Sequence, residues 1–242
     1  TMYQAILSRA SRNKEIIQAS NLRLLRSSSA AMPVATIEAL ENAFQCPVIE
    51  SYGMTEASHQ MASNFLDSTR KPGSVGKSAG PEIALLRDNK LITEANTVGE
   101  IIIKGSNVTK GYKNNNNANK ENFFDGWFKT GDLGKFDEDG FLFISGRIKE
   151  IINKGGEKIS PQEVDEALMK HGEVFQAVCF SVKHGKLGED IAAAVVLKDG
   201  ATIDDKDLRI HLSKSITTFK IPRPILILDE IPKGNTGKIQ RI

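Results

Sequence analysis

The chain has 242 residues, of which 26% are charged and 40% hydrophobic, with 20 Gly and 8 Pro, an ordinary globular profile that excludes collagen-like and disordered classes. That length suffices for one large domain or two modest ones, each burying its own core. Lys and Arg number 32 against 30 Asp and Glu, a formal charge of +2 with the signs interspersed and no basic block, which disfavours nucleic acid as a partner.

In chain order, Leu22 to Leu25 reads as a short strand, followed by the small-residue turn Ser27 to Ala31. Pro33 suits a first helical residue, and Ile37, Leu40, Ala43 and Phe44 keep a helical period after it. Val48-Ile49 is a buried strand running into a turn at Ser51-Tyr52-Gly53. From about Lys71 to Ile144, strand-like runs (Glu82 to Arg87, Gly99 to Lys104, Phe141 to Ser145) alternate with Gly, Pro and Asn-Asp turns, the texture of a small distorted barrel beside an α/β layer. The polar run Asn114 to Asn117 reads as a solvated loop. A boundary falls near Gly146-Arg147-Ile148-Lys149. Beyond it, Ser160-Pro161-Gln162-Glu163 has the form of a capping box before the apolar stripe Val164, Ala167 and Leu168. Strands are expected at Val174 to Val182 and Ile191 to Leu197, a helix capped by Asp204 runs through Leu212, and a strand Pro224 to Leu228 leads to the loop Pro232 to Lys238. Alternating helices and strands in so short a stretch make this a small α+β domain.

Cys46 and Cys179 lie in apolar surroundings far apart in sequence, which suits buried free thiols in a reducing compartment. The longest apolar stretches are strand-length, short of the ~20 residues a membrane span needs, and no signal-peptide pattern opens the chain. The expectation is a soluble protein of the cytoplasm, with the peroxisome as the alternative.

Four motifs carry chemistry. Tyr52-Gly53-Met54-Thr55-Glu56 follows a buried strand, where ligands bind in open α/β sheets. A tyrosine face suits a purine, glycine admits close backbone approach, a threonine hydroxyl suits phosphate, and glutamate is a hard oxygen ligand for Mg2+; a loop with a core Tyr and a solvated Glu reads equally well. Gly126 to Asp132 puts Asp132 on a glycine-flanked turn, where it can accept two ribose hydroxyls or make an Asx-turn. Arg147 and Lys149, then Gly155-Gly156-Glu157-Lys158-Ile159-Ser160-Pro161, join a basic pair to paired glycines that suit either a thin ligand or a tight hairpin. Gly234-Asn235-Thr236-Gly237-Lys238 is not a Walker phosphate loop, because the position that would need its first glycine is Pro232.

Taken together and in this order, the motifs resemble those of the adenylate-forming superfamily of acyl-CoA synthetases, firefly luciferase and peptide-synthetase adenylation domains, over essentially the whole chain. Within it, Glu56 to Met61, Lys71 to Gly76 and Gly146 to Pro161 look most like the oxalate–CoA ligases of plants and fungi, relatives of the 4-coumarate–CoA ligases. The resemblance implies a partial adenylate-forming fold. Residues 1–70 would be a remnant of the α/β subdomain of the large AMP-binding domain, 71–146 its β-barrel subdomain, and 147–242 an α+β lid. It implies activation of a carboxylate by MgATP to an acyl-adenylate and transfer of the acyl group to coenzyme A.

Carried over by motif, Tyr52 would stack on adenine, walled by Ser29, Ala30, Ala31, Glu50, Ser51 and Gly53. Thr55 would touch phosphate, Glu56 hold Mg2+, Asp132 bind the ribose and Arg147 support the ribose and α-phosphate. Lys238 would bridge the attacking carboxylate and the α-phosphate, Lys149 would be the hinge, and Lys154, Gly155 and Gly156 would meet coenzyme A. Ser29 and His59 match positions that hold oxalate, whose second carboxylate needs a polar partner. The Ser/Thr/Gly-rich loop that cradles the β- and γ-phosphates does not occur in these residues. The expectation is therefore the C-terminal portion of a longer enzyme, unable to form adenylate alone. A ligase for an aromatic or medium-chain acid, and a non-catalytic module binding AMP or a partner, stay open beside oxalate activation.

Overall fold

The computed structural model describes residues 2–28, 32–234, 239 and 241, and they fall into two compact units, Met2–Ser145 and Gly146 onward. Ser29, Ala30, Ala31 and Lys238 lie outside the described residues.

The first unit opens with helices α1 (Met2–Ala10) and α2 (Lys14–Gln18), neither of which buries a residue. Tyr3 and Leu7 lean on a small cluster formed by Met32, Ile37, Leu40 and Val48. Strand β1 (Leu25–Ser27) begins three residues later than the sequence suggested and pairs in parallel with β2 (Val48–Tyr52), a strand buried along its whole length. Between them α3 (Val34–Phe44) takes Pro33 as its N-cap rather than its first helical residue, and ends on Gln45 in the left-handed conformation. Two short strands, β3 (Ala62–Ser63) and β4 (Lys77–Ser78), complete a four-stranded sheet in the order β1-β2-β3-β4.

The expected barrel takes the form of a curled half-barrel. Its strands are β5 (Glu82–Arg87), β6 (Lys90–Ile92), β7 (Gly99–Lys104), β8 (Phe123–Phe124), β9 (Trp127–Phe136) and β10 (Leu142–Arg147), ordered β10-β9-β7-β5-β6 with β8 against β9. Leu85, Ile101, Ile103, Phe128 and Leu142 fill its core. Two expectations are corrected here. The asparagine run is not all loop: Asn115 accepts a bond from the Ala118 N–H (3.1 Å) and caps α4 (Asn116–Asn122), the role short amide side chains fill at helix starts. Asp132 sits not on a glycine-flanked turn but within β9, at a bulge in that strand.

In the second unit, β11 (Ile152–Lys154), β12 (Glu157–Ile159), β13 (Val174–His184), β14 (Gly188–Leu197) and β15 (Ile225–Ile227) form one sheet, with β15 parallel to β14 and the rest antiparallel. Helices α5 (Pro161–Met169) and α6 (Asp205–Ser213) contribute Val164, Leu168, Leu208 and Leu212 to a core with Ile191, Ala193 and Val195. Strand alternation sends Val178 and Ala194 to the opposite face, where they meet Ile231. The predicted capping box at Ser160 is not made, since its side chain forms no cap bond and Pro161 alone starts the helix. Asp204 does form one: its carboxylate accepts from the Lys206 and Asp207 N–H groups, and Asp207 answers with a bond from the Asp204 N–H.

Cys46 and Cys179 are both buried and unbridged, and burial pushes both thiols up from their ordinary range. Among the described residues no helix is long and apolar enough to cross a membrane.

Asp204→Ala removes two cap bonds and should lower unfolding free energy by ~1 kcal/mol in urea titration. With nothing buried in Met2–Gln18, the amides of α1 and α2 should exchange with deuterium faster than those of β13 and β14.

Candidate functional site

The end of β2 is where the first unit concentrates its chemistry. The chain leaves Tyr52, makes a single 3-10 turn at Thr55–Ala57 and doubles back through Ser58 and His59, both with positive φ (53° and 58°). The Met61 N–H then returns to Tyr52 O (3.0 Å), and the His59 N–H bonds Met54 O (2.9 Å). Gly53 is required by this fold-back: a Cβ there would lie 2.3 Å from the His59 carbonyl oxygen. The close approach that glycine permits is thus to the chain's own backbone, where the sequence had suggested a ligand.

Tyr52 and Asp132, eighty residues apart, meet inside the unit: the phenol hydroxyl donates to Asp132 Oδ2. Both are buried, at 8% and 4% exposure, so little of the Tyr52 ring is open, and the core-tyrosine reading is the one this conformation displays. The bulge in β9 puts Asp132 there. Glu100 pairs with Leu133 and Ile102 with Lys129, so Thr130, Gly131 and Asp132 together face Ile101. The bulge has its own fastenings: Thr130 Oγ1 donates to Ile101 O (2.7 Å) and accepts from the Asp132 N–H (3.1 Å), and the Gly131 N–H reaches Glu100 Oε1 (3.2 Å).

Glu56 is not solvated as the bland reading would have it. It is half-buried, and its Oε1 accepts from the Tyr112 hydroxyl at 2.8 Å. Burial, then the hydrogen bond to Glu56, pushes the Tyr112 hydroxyl above its ordinary range. The segment after β7 holds the same loop at further points. The Thr109 N–H bonds Glu56 O (2.7 Å), Asn107 Nδ2 donates to Ala57 O (3.0 Å) and Gln60 O (2.9 Å), and Ser58 Oγ donates to Asn107 O (3.1 Å). Asn119 of α4 brackets Tyr112 through both its N–H and its carbonyl. Sequence reasoning missed Asn107, Thr109, Tyr112 and Asn119. The one available signal was the polar run that turns out to carry a helix cap.

The other candidates of this unit divide. Thr55 and His59 are exposed. Ser51 Oγ donates to Ser27 O at 3.3 Å, tying β2 to the end of β1. Glu50 is buried, with the Gly73 N–H on its Oε2 (2.9 Å), so its carboxylate serves the turn after Lys71.

In the second unit, Arg147 and Lys149 are exposed, Lys149 within the 3-10 turn Ile148–Glu150. Gly155 and Gly156 have φ of 62° and 97° and form the turn between β11 and β12, which alone accounts for both glycines. The Lys154 ammonium is engaged with Asp190 Oδ1 (2.7 Å) and Phe219 O (3.0 Å), so a phosphate would have to compete with a carboxylate for it.

Comparison with known proteins accords with this architecture. Residues 1–113 match the AMP-binding enzyme family and residues 163–238 the AMP-binding enzyme C-terminal domain. The chain is 49% identical over 243 aligned residues to an oxalate–CoA ligase of Arabidopsis thaliana, an alignment spanning all of this chain and 47% of that protein. It is 48% identical to an oxalate–CoA ligase of Saccharomyces cerevisiae (91% of this chain, 41% of that one) and 41% identical to a sulfoacetate–CoA ligase of Cupriavidus necator (92% and 44%). The chain therefore spans about half the length of the curated relatives it matches. Among solved structures, the o-succinylbenzoate CoA synthetase of Bacillus subtilis bound to its acyl-adenylate superposes with TM-score 0.82 at 32% identity, over 98% of this chain and 49% of that one. ATP-bound MatB of Rhodopseudomonas palustris does so with TM-score 0.84 at 30% identity, over 98% and 50%. With both parts of the family matched in order along one chain, and the same fold at these identities, the chain belongs to the AMP-binding, adenylate-forming enzymes.

Proposed function

We propose that this chain is the C-terminal half of an acid–CoA ligase that forms acyl-AMP from MgATP and a carboxylate and then passes the acyl group to coenzyme A, with oxalate as the acid. The observation that carries the reading is the 49% identity to an oxalate–CoA ligase over the whole of this chain. The sulfoacetate–CoA ligase relative supports a small acid with a second anionic group. Exposed His59, at the tip of the Tyr52–Gln60 fold-back, is the side chain that would meet that second charge, with Ser29 as the other residue for the acid. Two unpaired buried thiols suit a reducing compartment, the cytosol foremost.

Under this reading Tyr52 and Asp132 serve the nucleoside, the first by its ring and the second by its carboxylate on the ribose, with Ala30, Ala31, Ser51 and Gly53 along the purine. The donor set fits Mg2+: Glu56 offers a carboxylate, a hard oxygen ligand, oriented by Tyr112 through Oε1. When bound, the ion would neutralise phosphate charge. Thr55 stands exposed beside Glu56 for a phosphate oxygen.

The acid's carboxylate oxygen attacks the α-phosphorus and pyrophosphate leaves. Lys238 holds positive charge against the oxygens that gain negative charge in that transition state, the largest contribution available when no covalent bond to protein forms. The coenzyme A thiolate then attacks the acyl carbonyl and AMP leaves. The unit from Gly146 onward acts as the lid, Lys149 as its hinge, Arg147 as a support for the ribose and α-phosphate, and Gly155-Gly156 as the rail for the pantetheine arm.

In the full-length ligase, Lys238→Ala should slow adenylation by ~10²–10³, about 2.7–4 kcal/mol, and largely spare thioester formation from preformed acyl-AMP. Pyrophosphate release reads the first step; adenylation at the parental rate would remove Lys238 from its role. His59→Ala should raise the KM for oxalate, since a charged group short of one bond costs about 1–3 kcal/mol. A panel of oxalate, sulfoacetate, 4-coumarate and octanoate tests the acid itself: no oxalate turnover in the parent enzyme would overturn the choice.

A further inference from the structure

We propose that Arg241 is a positioning residue, fastening the chain just beyond Lys238 to an acid pair, Asp165 and Glu150, of which Glu150 adjoins the hinge residue Lys149. The role of Lys238 in this proposal rests on the ligase reading; the fastening itself does not.

The guanidinium engages three separate elements. Its Nε donates to Glu150 Oε2 (2.9 Å) in the 3-10 turn, its Nη2 to Asp165 Oδ2 (2.6 Å) on α5, and its Nη1 to the Cys179 carbonyl (2.8 Å) on β13. The other Asp165 oxygen takes the Cys179 N–H at 2.5 Å. The Asp165 and Arg241 side chains are only 15% and 21% exposed. Burial pushes the Asp165 carboxyl up to about 6 even with the guanidinium beside it.

Such a pair is a poor source of stability, because removing two charges from water offsets most of their attraction. What a planar fork supplies is direction: it fixes the angle at which the chain meets three surfaces, which a lysine ammonium cannot do. The place it fixes is specific. The chain runs from buried Ile231 to Lys233, which forms a β-bridge with Ile239, and Ile239 packs on the same cluster as Ile231. The segment bearing Lys238 thus starts and finishes at neighbouring points of one sheet face, and Arg241 pins the finish two residues later. Through Glu150 the same side chain also holds the turn containing Lys149. Lys238 would then travel with the lid's body as one piece when the hinge turns.

The test uses the 242-residue chain and hydrogen exchange read by mass spectrometry. Arg241→Ala should speed amide exchange across residues 231–241 by ten-fold or more, while β13 and α6 keep parental protection. Arg241→Lys should not restore it, since an ammonium cannot engage Glu150, Asp165 and Cys179 together. Glu150→Gln, at a half-exposed carboxylate, provides a mild second variant should Arg241→Ala unfold the unit; it should speed exchange in 148–150 and in 239–241 together. Unchanged exchange in these segments, or full rescue by lysine, would overturn the proposal. In the full-length ligase, Arg241→Ala should lower the kcat of adenylation ten-fold or more with KM for ATP within two-fold, and a loss carried by KM would likewise count against it. The two readings fail separately: exchange needs no turnover, so a parent without ligase activity would sink the ligase assignment and leave the fastening intact.

Discussion

The phenol–carboxylate bond between Tyr52 and Asp132 is the constraint on which the first unit's site depends. It joins the end of a parallel-paired strand to the middle of an antiparallel half-barrel, two sheets that share no strand. A carboxylate as buried as Asp132 is costly unless it is bonded, and the bond is directional, so the two sheets meet with their polar residues in register rather than merely in apolar contact.

The second element of order is the strap from Asn107 to Tyr112. A loop with two consecutive left-handed residues is strained for non-glycine side chains. Its conformation persists here because backbone and side-chain bonds from one neighbouring segment fasten it at Glu56, Ala57, Ser58 and Gln60. An exposed Thr55 and His59 can then be offered outward from a backbone that does not need their side chains to hold its shape. That division between fastened backbone and open side chains suits a binding loop.

How much of this was legible in the sequence depended on range. Local signals read well: Asp204 gave a real cap, and the strand-like runs Glu82–Arg87 and Gly99–Lys104 gave strands with those bounds. Local signals also misled where a tertiary bond took over. Ser160 has a capping box in letters only, and Thr130-Gly131-Asp132 looks like a turn because its geometry is set by Glu100 and Ile101 on another strand. The order of the motifs pointed to the family, yet the partners that hold them, Tyr112 for Glu56 and Arg241 for Asp165, lie 56 and 76 residues away. Nothing in a single sequence pairs residues at that distance.

The β9 bulge has a consequence for which changes of length this protein can tolerate. Phe128, Asp132 and Gly134 are the buried positions of that strand and all fall on even numbers, the same parity before and after the bulge. Parity survives because the bulge sets three residues against one, an excess of two. A further residue there must be absorbed within the bulge itself; if the register slips instead, every downstream side chain changes face, turning Lys135 toward the core and Phe136 toward solvent. A single-residue insertion or deletion between Thr130 and Asp132 therefore falls directly on the bonds that fasten the bulge, those of Thr130 to Ile101 and of Gly131 to Glu100, and costs more than the modest size of the change suggests.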